Sequence, residues 1–232
     1  MPGTAETRLR ADELAGLATD VPGAPWTCRV DALLWWRVAG RPVRAAARAA
    51  LPPAVRASAA PLVRVGALVR YHHSPVGPYS EVLGAVGLLG RAGPALHVPF
   101  IAVDSAASLV AGRRSWALPK VLGVFDGDAR GGAVRAAGRG WGVTAVPHTS
   151  RVAAPGAGAL RLLQQGPDAR LLGAFVLGRG RVAAARVDVA VTGDGLTGWF
   201  PAGRCWGAVV SGGLLRLRPP SAPAPTRGAA SA

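Results

Sequence analysis

Lys120, in the stretch SWALPKVLG, is the only lysine among the 27 basic side chains. An amine that loses its proton can attack a carbonyl carbon, whereas a guanidinium stays protonated and forms no comparable imine. The position therefore fits a nucleophile that condenses with a ketone. A composition that favours Arg, Ala, Gly and Pro, with one lysine left by chance, is the alternative interpretation.

Glu81, in VGPYSEVLG, begins a strongly apolar run, and the other two glutamates, Glu6 and Glu13, are both N-terminal. A carboxylate in apolar surroundings is costly unless it is paired, hydrogen-bonded or protonated. Glu81 is therefore a candidate for proton transfer. A strand-end carboxylate that faces water, or that pairs with an arginine, fits the local sequence equally well.

The cysteines and histidines do not indicate a metal site. Cys28 and Cys205 lie far apart and outside any CxxC arrangement, so neither a zinc site nor a disulfide framework is predicted. His72 and His73 are adjacent, and in an extended strand they would point to opposite faces. We expect no metal and no cofactor.

The chain is strongly basic, with a net charge of +15 and a pI near 11.7. Clustered Arg and Lys side chains bind phosphates, so nucleic acid is the main alternative to a small-molecule partner. The arginines are scattered, however, and no RRM-like or zinc-finger pattern accompanies them. Any nucleic-acid binding should therefore be weak and independent of base sequence.

The length of 232 residues suits one ordinary domain. We predict an N-terminal segment at 1–20, a single domain at 21–217, and a disordered tail at 218–232 that is rich in Pro, Ala and Ser. No apolar run reaches the roughly 20 residues that a membrane helix needs, and residues 1–20 lack a secretory pattern. A cytoplasmic location is expected.

Apolar runs separated by Gly and Pro predict a fold rich in β-strands. One helix is predicted from Pro42 to Leu51, and another follows Asp104 and Ser105 and ends near Gly112. The strand candidates are Arg29 to Trp36, Pro61 to Tyr71, Ser80 to Leu89 and Ala95 to Val103, followed by GWGVTAVPH, ARLLGAFVLG, RVAAARVDVAV and CWGAVVSGGLLRLR.

The segments VGPYSEV and HVPFIAVDSAASLVAGRRSWALPKVLG together resemble the acetoacetate decarboxylase family. The shared features are Gly-x-Tyr-x-Glu at a strand start, an Asp before a short helix, Gly-Arg, and Pro-Lys followed by Leu-Gly. The similarity extends from about Pro25 to Asp128. It implies an α+β, β-rich fold, namely a conical antiparallel β-barrel with flanking sheet and a few short helices.

The resemblance also implies roles for three residues. Lys120 would form a Schiff base with a β-keto acid, and the iminium would accept the electrons released when carbon dioxide departs. Glu81 would position substrate or transfer protons. Arg29 would bind the substrate carboxylate, with Arg37 as the fallback. The implied protein is a lyase that acts on a small keto acid and assembles as a homo-oligomer.

Three positions depart from the family pattern. Val121 stands where a second lysine often follows the nucleophile, Gly66 where a second glutamate is expected, and Leu118 where a tyrosine often precedes Pro-Lys. Arg113 or Arg114 could supply the positive charge that a second lysine would otherwise place near Lys120. Two alternatives to a decarboxylase stay open: a Schiff-base aldolase or dehydratase that acts on another keto acid, and a noncatalytic barrel that serves as a binding module.

Overall fold

The computed structural model describes residues 3–10, 13, 17, 20–38, 40–91, 93–128 and 132–221. Within these ranges the protein is α+β and strand-rich, with few helices. The helices are α1 (Arg41–Ala49), α2 (Pro53–Ser58) and α3 (Ala106–Trp116), preceded by a 3-10 turn at Ala5–Thr7. The strands are β1 (Trp26–Val38), β2 (Ala59–His73), β3 (Tyr79–Gly90), β4 (Gly93–Val103), β5 (Lys120–Leu122), β6 (Val124–Asp126), β7 (Val134–Gly138), β8 (Trp141–Gln165), β9 (Leu171–Thr192) and β10 (Gly203–Leu217).

Most of the predicted elements are present, but several of their ends differ. The helix predicted from Pro42 is α1. The helix predicted after Asp104 is α3, and Ser105 caps it because its Oγ accepts a hydrogen bond from the Ser108 amide at 3.2 Å. The expected end near Gly112 is wrong, because α3 continues to Trp116. Two separately predicted strands form the continuous β9, which pairs with β8 on one side and β10 on the other.

The strands form one large sheet in the order β5-β4-β3-β2-β1-β10-β9-β8-β7-β6. Neighbouring strands are antiparallel except β4 and β5, which are parallel. β4 also pairs in parallel with β8 through Leu96 and Leu162. This contact closes a circuit of paired strands in the order β4-β3-β2-β1-β10-β9-β8 and back to β4. The fold is rich in strands, as predicted. The expected barrel would require such a closed circuit of paired strands.

Apolar side chains pack on both faces of the sheet, which explains why β4 reads as a continuous apolar run. Phe100 and Ala102 face the first core, which also contains α1 and α2 residues such as Ala47 and Val55. Ile101 and Val103 face the second core, which contains α3 residues including Leu109 and Trp116. Strand alternation therefore determines which of the two interiors each side chain enters.

Side chains reinforce the contact between β4 and β8, where the backbone pairs at one position. His97 Nδ1 lies 2.9 Å from the Leu163 carbonyl, and Gln164 Nε2 donates to the Val98 carbonyl at 3.4 Å. His97 and Gln164 are both buried. Because a carbonyl only accepts hydrogen bonds, His97 Nδ1 must carry the proton. The buried Nε2 atom has no partner in the described ranges, and burial lowers the pKa of His97 to about 4.

No helix in the described ranges has both the length and the apolar character needed to cross a bilayer. Of the predicted tail at 218–232, residues 222–232 lie outside the described residues. Its disorder and the proposed domain limits stay predictions.

The buried His97 should make stability depend on pH. Its pKa falls from 6.5 in the unfolded chain to about 4 in the fold, so only the unfolded chain gains a proton between these values. The free energy of unfolding should therefore fall by up to about 3 kcal/mol as pH drops from about 6.5 to about 4. Urea unfolding across this range measures the slope. His97→Asn, whose amide can still donate to the carbonyl, should flatten it, whereas His148→Asn at an exposed position should not.

Candidate active site

Lys120 enters the second core because a tight turn reverses the chain after α3. Ala117 adopts a left-handed conformation with φ of 52°, and Pro119 prevents continuation of the helix. Lys120 then starts β5 and pairs with Ile101 of β4. The next residue, Val121, points into the first core. The lysine stem therefore lies on the same face of β4 as the second core.

Glu81 reaches Lys120 from β3, across the intervening strand β4. Lys120 Nζ lies 2.7 Å from Glu81 Oε2, and the two side chains are only 3% and 5% exposed. Thus the structure brings the two predicted catalytic residues together as a buried ion pair. Such a pair is expensive to desolvate and strongly coupled, because little water screens it.

Helix α3 provides the third side of the site. Lys120 Nζ donates to Ser108 Oγ at 2.9 Å, and Ser108 is fully buried. One turn later, a Cβ at Gly112 would lie 2.6 Å from Lys120 Cδ and Cε. The glycine therefore leaves the space that the lysine stem occupies, which is a packing reason for glycine inside this helix.

The chain has two tyrosines, and both lie beside the ion pair. Tyr71 and Tyr79 are directly paired between β2 and β3, and their rings stack with centroids 4.1 Å apart. Tyr71 donates a hydrogen bond from its hydroxyl to Glu81 Oε1 at 3.1 Å, and Lys120 Nζ lies 5.3 Å from the Tyr79 ring centroid. Burial, and then the Glu81 charge, raise the pKa of both tyrosines well above 10. Their hydroxyls therefore stay protonated donors.

Cys28 on β1 contributes a buried thiol near this cluster. Burial is the largest cause that raises its pKa to about 12, and the Glu81 charge adds to the effect while Lys120 opposes it. The group is therefore a neutral thiol rather than a reactive thiolate. Among the described residues, no group of three or more His, Cys, Asp or Glu side chains is arranged to hold a metal ion.

Arg113 touches Lys120 through the backbone rather than through the amine. Its Nε donates to the Lys120 carbonyl at 2.6 Å, and its terminal nitrogen donates to the Thr7 carbonyl at 2.8 Å. Burial lowers the pKa of Arg113. This arginine ties the strand start to the N-terminal segment, so its main contacts are structural.

The other departures from the family pattern have packing explanations. A Cβ at Gly66 would lie 2.2 Å from the Trp35 ring, in the first core, so a carboxylate at this position would not face Lys120. Leu118 is buried in the second core. Apolar contacts therefore replace polar groups at both positions.

Arg29 is not brought to Lys120. Alternation along β1 buries Cys28 and Val30, and Arg29 between them is exposed and lines a separate surface cleft. The fallback Arg37 is also exposed, and it donates to the Ala202 carbonyl at 2.8 Å. The expectation that an arginine of β1 shares the lysine pocket is corrected accordingly.

Sequence reasoning did not find Ser108, Tyr71 or Tyr79. The alternation in YSE could have placed Tyr79 on the same face as Glu81, and the hairpin between β2 and β3 could then have suggested Tyr71 opposite it. Ser108 gave no comparable signal, because a serine inside a short helix usually faces solvent or its own backbone.

Comparison with known proteins agrees with this fold. Residues 41–154 match the family model of acetoacetate decarboxylase (ADC). A search of curated protein sequences gave no match. The fold is similar to that of the enduracididine biosynthesis enzyme MppR complexed with pyruvate, with a TM-score of 0.65, 14% identity, and coverage of 96% of this chain and 98% of that one.

Two further structures share the fold at low identity. Acetoacetate decarboxylase from Legionella pneumophila subsp. pneumophila str. Philadelphia 1 has a TM-score of 0.56, 12% identity, and coverage of 91% and 92% of the two chains. An acetoacetate decarboxylase-like enzyme from Sphingomonas wittichii RW1 has a TM-score of 0.57, 14% identity, and coverage of 88% and 94%. The chain therefore matches the acetoacetate decarboxylase family over residues 41–154, and it shares its fold with acetoacetate decarboxylase and an acetoacetate decarboxylase-like enzyme.

Proposed function

We propose that the protein is an enzyme in which Lys120 forms a Schiff base with a small keto acid, and that it decarboxylates a β-keto acid. The observation that carries this proposal is the 2.7 Å contact between the buried Lys120 amine and Glu81. Apolar side chains of similar volume often stabilise a core as well as a buried ion pair does. A solitary lysine retained in such a pair therefore favours chemistry over packing.

The neighbours of Lys120 suit the first steps. The ammonium must lose its proton before it can attack, and Glu81 Oε2 lies within transfer distance. Tyr71 holds the other carboxylate oxygen, and Ser108 holds the amine. The free amine then adds to the ketone carbon, and the resulting carbinolamine takes up a proton and loses water to give an iminium.

Decarboxylation follows from the same arrangement. The bond between the carboxylate and its neighbouring carbon breaks, and its electron pair moves into the iminium, giving carbon dioxide and an enamine. Protonation of the enamine carbon and addition of water then release a ketone and the free lysine. The overall reaction consumes one proton, and Glu81 is the nearest acid that can deliver it.

The charge around the site favours loss of the carboxylate over its retention. An aldol or dehydration reaction of pyruvate keeps the carboxylate throughout, so it benefits from a guanidinium clamp. Here Arg29 lines a separate cleft, and Arg113 contacts the Lys120 carbonyl. Apolar surroundings destabilise a carboxylate relative to neutral carbon dioxide. A β-keto acid is therefore the preferred substrate class.

Aldol or dehydration chemistry is the second candidate. One structure of similar fold is MppR complexed with the condensation product of pyruvate and imidazole 4-carboxaldehyde, at 15% identity and a TM-score of 0.63. The likeness concerns the fold, and the absence of a second lysine at Val121 is the feature of this chain that agrees with different chemistry.

Substrate access requires movement around the site, because only 3% of the Lys120 side chain is exposed. We further propose that the strand circuit closed by β4 and β8 forms the family's conical barrel, with the lysine on its inner face. The homo-oligomer and the cytoplasmic location stay predictions.

Reductive trapping tests the proposal directly. Because Lys120 is the only lysine, borohydride treatment with acetoacetate, longer β-keto acids or pyruvate can modify one ε-amine. We expect an adduct on the Lys120 peptide, and carbon dioxide release with the β-keto acids. Peptide mass analysis separates this adduct from one at the N-terminal amine.

Two variants serve as controls for trapping. Lys120→Arg keeps the charge and Lys120→Met keeps the approximate length, and both should abolish the adduct and the carbon dioxide, with folding checked by circular dichroism. Adducts without carbon dioxide would support aldol or dehydration chemistry. Failure of every keto acid to label folded wild-type protein would exclude the enzyme and leave the binding module.

Glu81→Gln should separate attack from proton transfer. The amide keeps the shape but cannot take or deliver the proton, so turnover should fall by about a hundredfold or more, while trapping under saturating substrate falls less. Single-turnover adduct formation and steady-state carbon dioxide release provide the two measurements. Equal losses in both would contradict a role for Glu81 after imine formation.

Gly112→Ala should displace the lysine stem, because the new methyl group would lie 2.6 Å from Lys120 Cδ and Cε. We expect at least about a tenfold loss of trapping rate and about 1 to 3 kcal/mol of destabilisation from overpacking. Gly158→Ala is the matched control, since a Cβ there meets nothing within 4 Å. Unchanged trapping in Gly112→Ala would contradict the tight placement of Lys120.

A further inference from the structure

A second concave region of the sheet has lining residues different from those around Lys120. This cleft has a volume of about 920 Å³ and is formed by β1, β2, β8, β9 and β10. Its size is within the roughly 300 to 1,000 Å³ typical of small-molecule sites. Its ionisable lining residues are Arg29, Asp31, His72 and Arg179.

The two arginines stand on either side of β10. Arg29 pairs with Leu214, and Leu214 pairs with Arg179 on the next strand. Two strand spacings place the backbones of the two arginines about 10 Å apart. Their long side chains can therefore reach one ligand from opposite sides, or two anionic groups of the same ligand.

Neither guanidinium has a hydrogen bond or ion pair within the part of the chain that the structure describes. The acidic residue in the cleft is already engaged: Asp31 Oδ1 accepts from the Gly212 amide at 2.8 Å, and Oδ2 lies 3.0 Å from His72 Nε2. Two like charges in one cleft repel each other unless an anion joins them.

Four glycines, namely Gly156, Gly180, Gly212 and Gly213, are among the residues that line the cleft. The register between β9 and β10 shifts between Ser211 and Leu214, and Gly212 adopts a positive φ of 58° within this shift. A Cβ at Gly180 would lie 3.1 Å from Gly213 Cα, so the backbones approach closely there. The Asp31 contact holds this irregular segment in place, and Leu214 lies on the strand between the two arginines.

We propose that this cleft binds a small polyanion, either a phosphate ester or a polycarboxylate, through Arg29 and Arg179. The ligand needs two or more anionic groups to engage both guanidiniums. The assignment gives Arg29 a role outside the Schiff-base site, and it does not depend on the proposed function. Lys120→Arg should therefore bind the same ligand with unchanged affinity.

Titration calorimetry at about 0.15 M salt provides the test, because exposed nonspecific contacts are screened there. Pyrophosphate represents phosphate esters, citrate represents polycarboxylates, and acetate is the monoanionic control. We expect saturable binding of one pyrophosphate or citrate per chain. Arg29→Gln and Arg179→Gln should each weaken this binding at least about tenfold, the loss of a charge-assisted contact. Arg204→Gln, exposed on β10 and outside the cleft, should not.

The preferred probe distinguishes the two ligand sources. Equal weakening by all three substitutions, or binding without saturation, would show general adhesion to a basic surface and overturn the site. Sedimentation of the same samples tests for a second copy as the occupant. Failure of both probes to bind, with a lower association state in the Arg29 and Arg179 variants, would assign the cleft to a subunit interface instead.

Discussion

The buried contact between Lys120 and Glu81 is the constraint on which the rest of the site depends. Removal of one partner from such a pair leaves an uncompensated charge and typically costs about 3 to 5 kcal/mol. Neighbouring hydrogen bonds offset part of the free-energy cost of burying the two charges: Ser108 accepts a hydrogen bond from the amine, and Tyr71 donates one to the carboxylate. The site therefore combines ionisable groups with an apolar interior without leaving either charge unpartnered.

Three neighbouring elements must be correctly positioned for this contact to form. β3 supplies Glu81, α3 supplies Ser108 and the space at Gly112, and the turn after α3 returns Lys120 alongside β4. These elements lie close together in the sequence. The segment from Tyr71 to Lys120 contains every residue of the cluster except Cys28. The larger part of the sheet encloses this segment and excludes water from it.

Sequence reasoning could predict the strand content and the first and last helices of this set, because these depend on local pattern. It also singled out Lys120 and Glu81 as unusual residue types, and the structure places them in contact. The family resemblance placed Arg29 in the lysine pocket, whereas alternation along β1 buries Cys28 and Val30 and exposes Arg29 between them. Gly66 was read as a missing carboxylate, although it is the space for the Trp35 ring. Such contacts join residues distant in sequence, which single-sequence patterns do not encode.

The single backbone bridge between β4 and β8 has a consequence for the order of folding. His97 and Leu163, which meet at this seam, are separated by 66 positions in the chain, whereas β2, β3 and β4 are joined by short hairpins. Closing a long loop costs more chain entropy than closing a hairpin, and contacts distant in sequence slow folding. The hairpins should therefore form before the contact between β4 and β8. The pairing of β1 with β10, whose partners such as Leu34 and Ala208 are still further apart in the chain, should close the circuit last, after the segment that carries the lysine has assembled.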